Sequence, residues 1–372
     1  MIKKRIFLII LSLVFSAFIS SQLRIEIKGG LEDPINIAIV PFQWNLKTPQ
    51  QESIQKVVQS DLESFGEYAV LSPENMLSLP SRAEEVFFKD WRILGSDFLV
   101  IGEVNPLEEP KEMLVNYLIF DVVRERIIHR GKVIGPIVTQ RKMAHKISDK
   151  IYSKTQGIPG IFSTKIAYID KPSDLNPAYN LMISDIDGFD SLSLFSSPQP
   201  LMSPSWSTDM KKIAYVSFEE GSSRIYIQEL ATAERIGLKQ EEGINSSPNW
   251  SPDGKKMSAV LSKSGNPDIH IYDFKQSRWI QLTNHFGIDT EPDWSPDSNK
   301  LIFTSNRSGS PQIYELNVKS KKVKRLTFEG SYNARARYLP NGKEIVFVHR
   351  RNGIFHIAVS YTHLTLPTIL LV

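Results

Sequence analysis

The chain contains no cysteine among its 372 residues. That absence excludes disulfide staples, thiolate metal sites, a cysteine nucleophile and a lipid-bearing cysteine anchor. A surplus of one charge is also missing. The formal net charge is +3, and Lys3, Lys4 and Arg5 fall within the first 21 residues, which hold no acid, so the remainder is close to neutral. No nucleic-acid footprint follows from such a balance. The basic cluster at residues 319–325 falls on an expected hairpin and reads as a solvated sheet edge. Long apolar runs are missing with one exception. Residues 6–19 are almost wholly apolar, with Met1-Ile2-Lys3-Lys4-Arg5 before them and Ser20-Ser21 after. This is the pattern of a secretory signal peptide over residues 1–21. The rival, a membrane anchor, needs about 20 apolar residues and a charged stop. An exported, soluble and monomeric mature chain is expected.

Catalytic signatures are absent as well. There is no Gly-x-Ser-x-Gly elbow, no His-x-x-x-His, no Gly-x-Gly-x-x-Gly and no Gly-Lys-Ser/Thr. The seven histidines are scattered. His270 and His356 read as one place in two strands, on ordinary strand surface, and His285 as a contact candidate in a loop. Asp209, Asp253 and Asp297 occupy turns, where Asp bonds its own backbone. No catalytic residue, metal site or cofactor is assigned.

What the chain does have is a repeat. Trp206, Trp250, Trp294 and Tyr338 stand 44 residues apart, and the second and third open Trp-Ser-Pro-Asp. One copy shows its design: a strand at Trp294, a turn at Pro296-Asp297, strands over 301–304, 312–317 and 323–327, and a loop to Tyr338. Four short strands per period in the forties describe a propeller blade. Labelled A to D outward from the axis, their D-to-A and B-to-C loops open on one face. The tryptophans, recurring at one phase, are expected to pack between blades. The first copy, from Ile166, lacks an A strand, so six blades are expected, with about four and a half encoded and a later A strand closing the first sheet.

Ahead of the repeats, residues 22–156 alternate strands and helices and are expected to form an α/β domain. Strands are read at 22–30, 35–40, 68–71, 98–102, 113–123 and 126–131. Helices are read from a capping box at Thr48-Pro49-Gln50-Gln51, over 84–94, and over about 139–153. The propeller is assigned to 157–358. Residues 359–372 break the repeat, giving neither a polar turn nor a D strand, and are read as an anomalous, non-native tail.

The chain resembles the TolB family. The resemblance rests on Ile166-Ala167-Tyr168, on Ser197-Pro198-Gln199-Pro200-Leu201-Met202-Ser203-Pro204, on Thr290-Glu291-Pro292 with the Trp-Ser-Pro-Asp units, and on Pro41-Phe42-Gln43-Trp44. It implies a periplasmic protein-binding scaffold of the Tol-Pal system rather than an enzyme, supporting outer-membrane integrity and cell division. The implied partners are the lipoprotein Pal, TolA and other outer-membrane proteins. Pal would meet the D-to-A loops: Met202, Ser203, Asn245, Ser246, Ser247, Thr290, Glu291, Asn333, Ala334 and Arg335. TolA would meet Gln22, Leu23, Arg24, Ile25, Glu26 and Ile27. The alternative is a secreted propeller lyase or hydrolase, which would require convergent acid, base or metal ligands at the channel mouth.

Overall fold

The computed structural model describes residues 34–107, 112–171 and 178–361 and the backbone of Leu370–Leu371. The expected leader and the 22–30 strand lie outside the described residues. Two compact units divide after Lys132. No helix among the described residues is long and apolar enough to cross a membrane.

The first unit is built on strands β1 (Ile35–Ile39), β2 (Gln43–Trp44), β3 (Tyr68–Leu71), β4 (Phe98–Pro106), β5 (Glu112–Asp121) and β6 (Arg126–Pro136). They pair in the order β3-β1-β4-β5-β6, with β2 against β4. The pairs of β1 with β3 and β4, and of β2 with β4, are parallel, whereas β4 and β5 are antiparallel. The α/β expectation therefore resolves into a mixed sheet. Ile37, Ala38, Ile39, Leu99, Val100 and Ile101 are fully buried, as strands covered on both faces should be.

Helix α1 (Ile54–Ser64) buries the stripe Ile54, Val57, Val58 and Leu62, and Gly66, at φ +68°, stops it. Its cap is Ser53, whose hydroxyl accepts from the Lys56 amide, and not the capping box expected at Thr48 to Gln51. The Trp44 indole donates to the Thr48 carbonyl at 2.7 Å and holds that segment as a loop. The helix expected over 84–94 is also shorter. The Glu85 carboxylate accepts from the amides of Ser81 and Arg82, closing one tight turn at Ala83–Glu85, and α2 (Phe88–Ile93) starts afresh.

The second unit begins with α3 (Gln140–Thr155), whose Met143, Ile147 and Ile151 are buried. Five sheets follow. The first is β7 (Lys165–Asp170), β8 (Tyr179–Asp185) and β9 (Leu192–Ser197). The second is β10 (Leu201–Trp206), β11 (Lys212–Ser217), β12 (Arg224–Glu229) and β13 (Arg235–Gly237). The third is β14 (Asn245–Trp250), β15 (Lys256–Leu261), β16 (Asp268–Asp273) and β17 (Arg278–Gln281). The fourth is β18 (Asp289–Trp294), β19 (Lys300–Ser305), β20 (Gln312–Asn317) and β21 (Val323–Arg325). The fifth is β22 (Asn333–Tyr338), β23 (Glu344–Arg351), β24 (Ile354–Tyr361) and β25 (Leu370–Leu371).

Among the described residues the first sheet lacks an A strand, and five blades stand where about four and a half were expected within this chain. The fifth also differs from expectation: β24 runs on to Tyr361, and Leu370–Leu371 pairs with Val359 and Ala358 as a short fourth strand. An open edge on β24 accepts whatever extended backbone can reach it.

The aromatic anchors hold equivalent places. Trp206 pairs with Ile213, Trp250 with Met257, Trp294 with Leu301 and Tyr338 with Ile345. Each core cluster joins neighbouring blades. Ala214, Val216 and Leu238 of the second pack with Met257, Ala259 and Tyr272 of the third, and Val260, Ile269 and Ile271 pack with Trp294, Leu301 and Phe303 of the fourth. Burying each valine-, leucine- or isoleucine-sized side chain contributes about 1.5–3 kcal/mol, so the blades stabilise one another.

Candidate protein-binding rim and channel

Every A strand carries the same irregularity near its start. The register slips between Met202 and Ser205, Ser246 and Asn249, Thr290 and Asp293, and Ala334 and Arg337. At each slip one residue is left-handed: Ser203 and Ser247 at φ +52°, Glu291 and Arg335 at φ +56°. Proline follows three of them, Pro204, Pro248 and Pro292, and Ala336 the fourth. A bulge leaves a residue out of the ladder, so proline, which has no N–H to give, fits there. Bulges also re-aim side chains. Ser203, Ser247, Glu291 and Arg335 line a central cavity of about 890 Å³, which takes its wall from all five blades, including Ala167, Tyr168 and Ile169 of the first.

The wall is polar and internally bonded. Glu291 accepts from the Arg335 side chain at 2.8 Å, from the Arg335 amide at 3.1 Å and from the Thr304 hydroxyl at 3.0 Å. Asp293 accepts from the Asn249 amide group at 3.2 Å and from the Tyr338 backbone N–H at 2.9 Å, with the Arg337 guanidinium 3.7 Å away. Burial raises the Asp293 pKa above its ordinary value, although Arg337 opposes the shift. Both acids thus tie one blade to the next.

The ten rim residues lie in the first halves of β10, β14, β18 and β22, not in loops as expected, because the A strands start earlier than the aromatic anchors suggest. Met202, Ser203 and Arg335 are exposed, and Ser246, Ser247, Thr290 and Glu291 are half-buried. Asn245, Asn333 and Ala334 are buried. Asn245 donates to the carbonyls of Glu241 and Gly243, and Asn333 donates to Gln312 and the Glu329 carbonyl, so these two brace the loops behind the rim. Residues 22–27 lie outside the described residues.

Three histidine readings change. His270 is completely buried rather than on strand surface, and it aligns with Ala358, while His356 aligns with Asp268. The ring of His285 accepts from the Gly287 amide at 2.9 Å and caps its own loop. The residue that loop presents is Phe286, 85% exposed. Ile244 and Ile288, each just before an A strand, are exposed beside the rim, and Tyr332 holds the same repeat position. Their 44-residue spacing was the signal that could have found them.

A second cavity, of about 820 Å³, opens beside Trp250 and Phe274 at the opposite ends of the A strands. Its carboxylates are committed to turns: Asp209 and Asp253 each accept from a serine hydroxyl at 2.6 Å, from Ser207 and Ser251. The same bonds lower both acids' pKa values, for Asp253 against the larger opposing effect of burial.

Comparison with known proteins agrees with this architecture. A family model described as the TolB beta propeller domain matches residues 152–370, and one described as the TolB amino-terminal domain matches residues 23–128. The Tol-Pal system protein TolB of Pseudomonas syringae is 36% identical over 62% of the chain and 53% of its own length. The protein of that name from Nitrosococcus oceani is 41% identical over 63% of the chain and 54% of its own length. The aligned part of the chain thus spans about half the length of these relatives. The crystal structure of TolB from Acinetobacter baumannii superposes with a TM-score of 0.84 at 36% identity, covering 94% of this chain and 86% of that one. By repeat, by fold and by both matched domains, the chain belongs to the TolB family.

Proposed function

We propose that the chain is a periplasmic, non-enzymatic scaffold of the Tol-Pal system. In this reading its rim holds Pal, its segment 22–27 engages TolA, and the linkage supports outer-membrane integrity and cell division. A sixth blade completes the ring in the whole protein. The supporting observation is the rim itself, where exposed Met202, Ile244, Phe286 and Ile288 stand beside a bulged polar wall. Apolar anchors ringed by polar groups are the usual composition of a protein-binding surface. The wall's own acids, Glu291 and Asp293, are spent on cross-blade bonds, which leaves them poor acid–base pairs.

The test is capture of purified Pal and of TolA on the immobilised chain. Deleting residues 22–30 should abolish TolA capture and leave Pal capture intact. Loss of both together, or capture of neither by the undeleted chain, contradicts the proposal.

A further inference from the structure

The seams between successive blades repeat one aliphatic floor. Ile227, Ile236 and Leu238 of the second blade recur 44 residues on as Ile271, Ile280 and Leu282 of the third. Over the third blade's floor the seam is closed. Trp294 packs with these three residues, is 4% exposed, and donates its indole N–H to the Asn249 carbonyl of the preceding blade. Over the second blade's floor the seam is open. Trp250 is half-buried, stacks on Phe274 of its own blade at 5.0 Å and 17°, and leaves Ile236 59% exposed, which opens the cavity of about 820 Å³. Both of these sheets have four strands and pack against a further blade on their other side, so the opening belongs to the seam itself. Its far wall is aromatic as in no neighbouring blade: Tyr272 and Phe274 stand where the second blade has Gln228 and Leu230 and the fourth has Leu316 and Val318.

The mouth is acidic. Asp209 accepts from the Ser207 hydroxyl and the Lys211 amide, and Asp253 from the Ser251 hydroxyl and the Lys255 amide, in each case on Oδ1 alone. Among the described residues, Oδ2 of neither acid accepts a hydrogen bond. In the fourth blade the Asn299 side chain takes up the second oxygen of Asp297 at 3.0 Å, a position filled by Lys211 and Lys255 beside the cavity. Lys212, the cation among the lining residues, is drawn to Glu229 at 3.4 Å.

We propose that this seam binds a small amphiphilic organic cation, a flat apolar body carrying one ammonium group. The body lies between the floor of Ile227, Ile236 and Leu238 and the wall of Trp250 and Phe274, and the ammonium stands at the mouth beside Asp209 and Asp253. The volume is that of a small-molecule site, for which about 300–1,000 Å³ is usual. Burial of the flat body supplies affinity, and aromatic faces attract a cation that open carboxylate oxygens also select. The seam opens on the face away from the rim, so this reading is independent of which envelope protein meets that rim.

Three probes of one shape and different charge test it by isothermal titration into the purified full chain: naphthylmethylamine, protonated at neutral pH, neutral naphthalenemethanol and anionic naphthaleneacetate. Binding should saturate at one site per chain, with the amine about three- to tenfold tighter than the alcohol, the acetate weakest, and the gap narrowing as salt is raised. Replacing both acids, Asp209→Asn with Asp253→Asn, keeps an oxygen for each turn and should bring the amine down to the affinity of the alcohol. Ile236→Arg, at an exposed position of the floor, should weaken amine and alcohol alike by about tenfold or more with an unchanged melting temperature. If that variant fails to fold, the three probes against the unaltered chain decide. Absence of saturable binding overturns the proposal, as does an amine bound no tighter than the alcohol or the acetate. Affinity that a folded Ile236→Arg chain retains in full also overturns it, because the probe would then sit elsewhere.

Discussion

Trp250 and Trp294 occupy the same place in adjacent blades but differ in one hydrogen bond and in burial, and both differences act in the same direction on stability. The Trp294 indole N–H donates to the Asn249 carbonyl at 3.1 Å, and Trp294 is 4% exposed. The Trp250 indole N–H is buried and has no acceptor among the described residues. Replacing Trp294 by phenylalanine also removes more packed area than replacing Trp250, which is half-buried beside the second cavity, so packing acts in the same direction as the bond. Only Trp294→Phe removes a bond; the Asn249 carbonyl keeps the Ser258 hydroxyl at 3.3 Å, so the loss is about 1 kcal/mol rather than that of an orphaned acceptor. Trp250→Phe instead removes a buried donor without a partner, which costs the folded state about 1–3 kcal/mol. A benzene ring there can keep its stack on Phe274, whose ring now lies 5.0 Å from that of Trp250 at 17°. The Trp294→Phe chain should therefore be less stable than the Trp250→Phe chain by at least about 2 kcal/mol. For a unit of this size that is a difference in Tm of about 4–8 °C. Scanning calorimetry on the two purified variants reads it directly. A Trp250→Phe chain that melts at or below Trp294→Phe would refute the reasoning.

His270 is fully buried, and burial, the largest influence on it, holds its pKa below the ordinary 6.5, so the folded state keeps the ring neutral. Its contribution is intact above pH 6.5 and is lost as pH falls below that value toward the folded pKa. Tyr226 and Tyr314 hold the same repeat position, and the Tyr314 hydroxyl donates to Ser308 at 2.9 Å, where the third blade offers Ser264. His270→Tyr should flatten the stability profile between about pH 7 and 5 in urea titrations, and an unchanged slope counts against this assignment. In the first unit, a Cβ on Gly131 would lie 2.2 Å from the Tyr117 ring. Gly131→Ala should lower stability by about 1–3 kcal/mol. It should also bring the Tyr117 phenol, pushed up to about 12 by burial, back toward 10 in a spectrophotometric titration.

The 44-residue period was sufficient to place the A strands, their aromatic anchors and the missing strand of the first blade, because each depends on local pattern repeated in phase. Boundaries were less legible. Pro49 looked like a helix start, but a local bond from the Trp44 indole to the carbonyl four residues on holds that stretch as loop, a competitor that the capping-box pattern does not weigh. The site divided in the same way. The repeat located the rim, yet burial of Asn245 and Asn333 depends on loops that fold back over them. Proline follows the bulges at Ser203, Ser247 and Glu291, but Ala336 follows the one at Arg335, so the left-handed conformation is a property of the paired sheet and not of the proline. The alignment of His270 with His356 failed by two residues, since the fifth blade's B and C strands are longer than those of its neighbours.

Two exposed methionines of the second blade give the most direct measurement, because they stand at opposite ends of one A strand: Met202, 50% exposed at the rim, and Met210, 47% exposed in the turn after Trp206. Isothermal titration of purified Pal into Met202→Asp and Met210→Asp chains compares the two faces on one scaffold. Rim binding predicts at least about a tenfold loss of affinity for Met202→Asp and none for Met210→Asp. The reverse order, or undiminished binding by both, would contradict it.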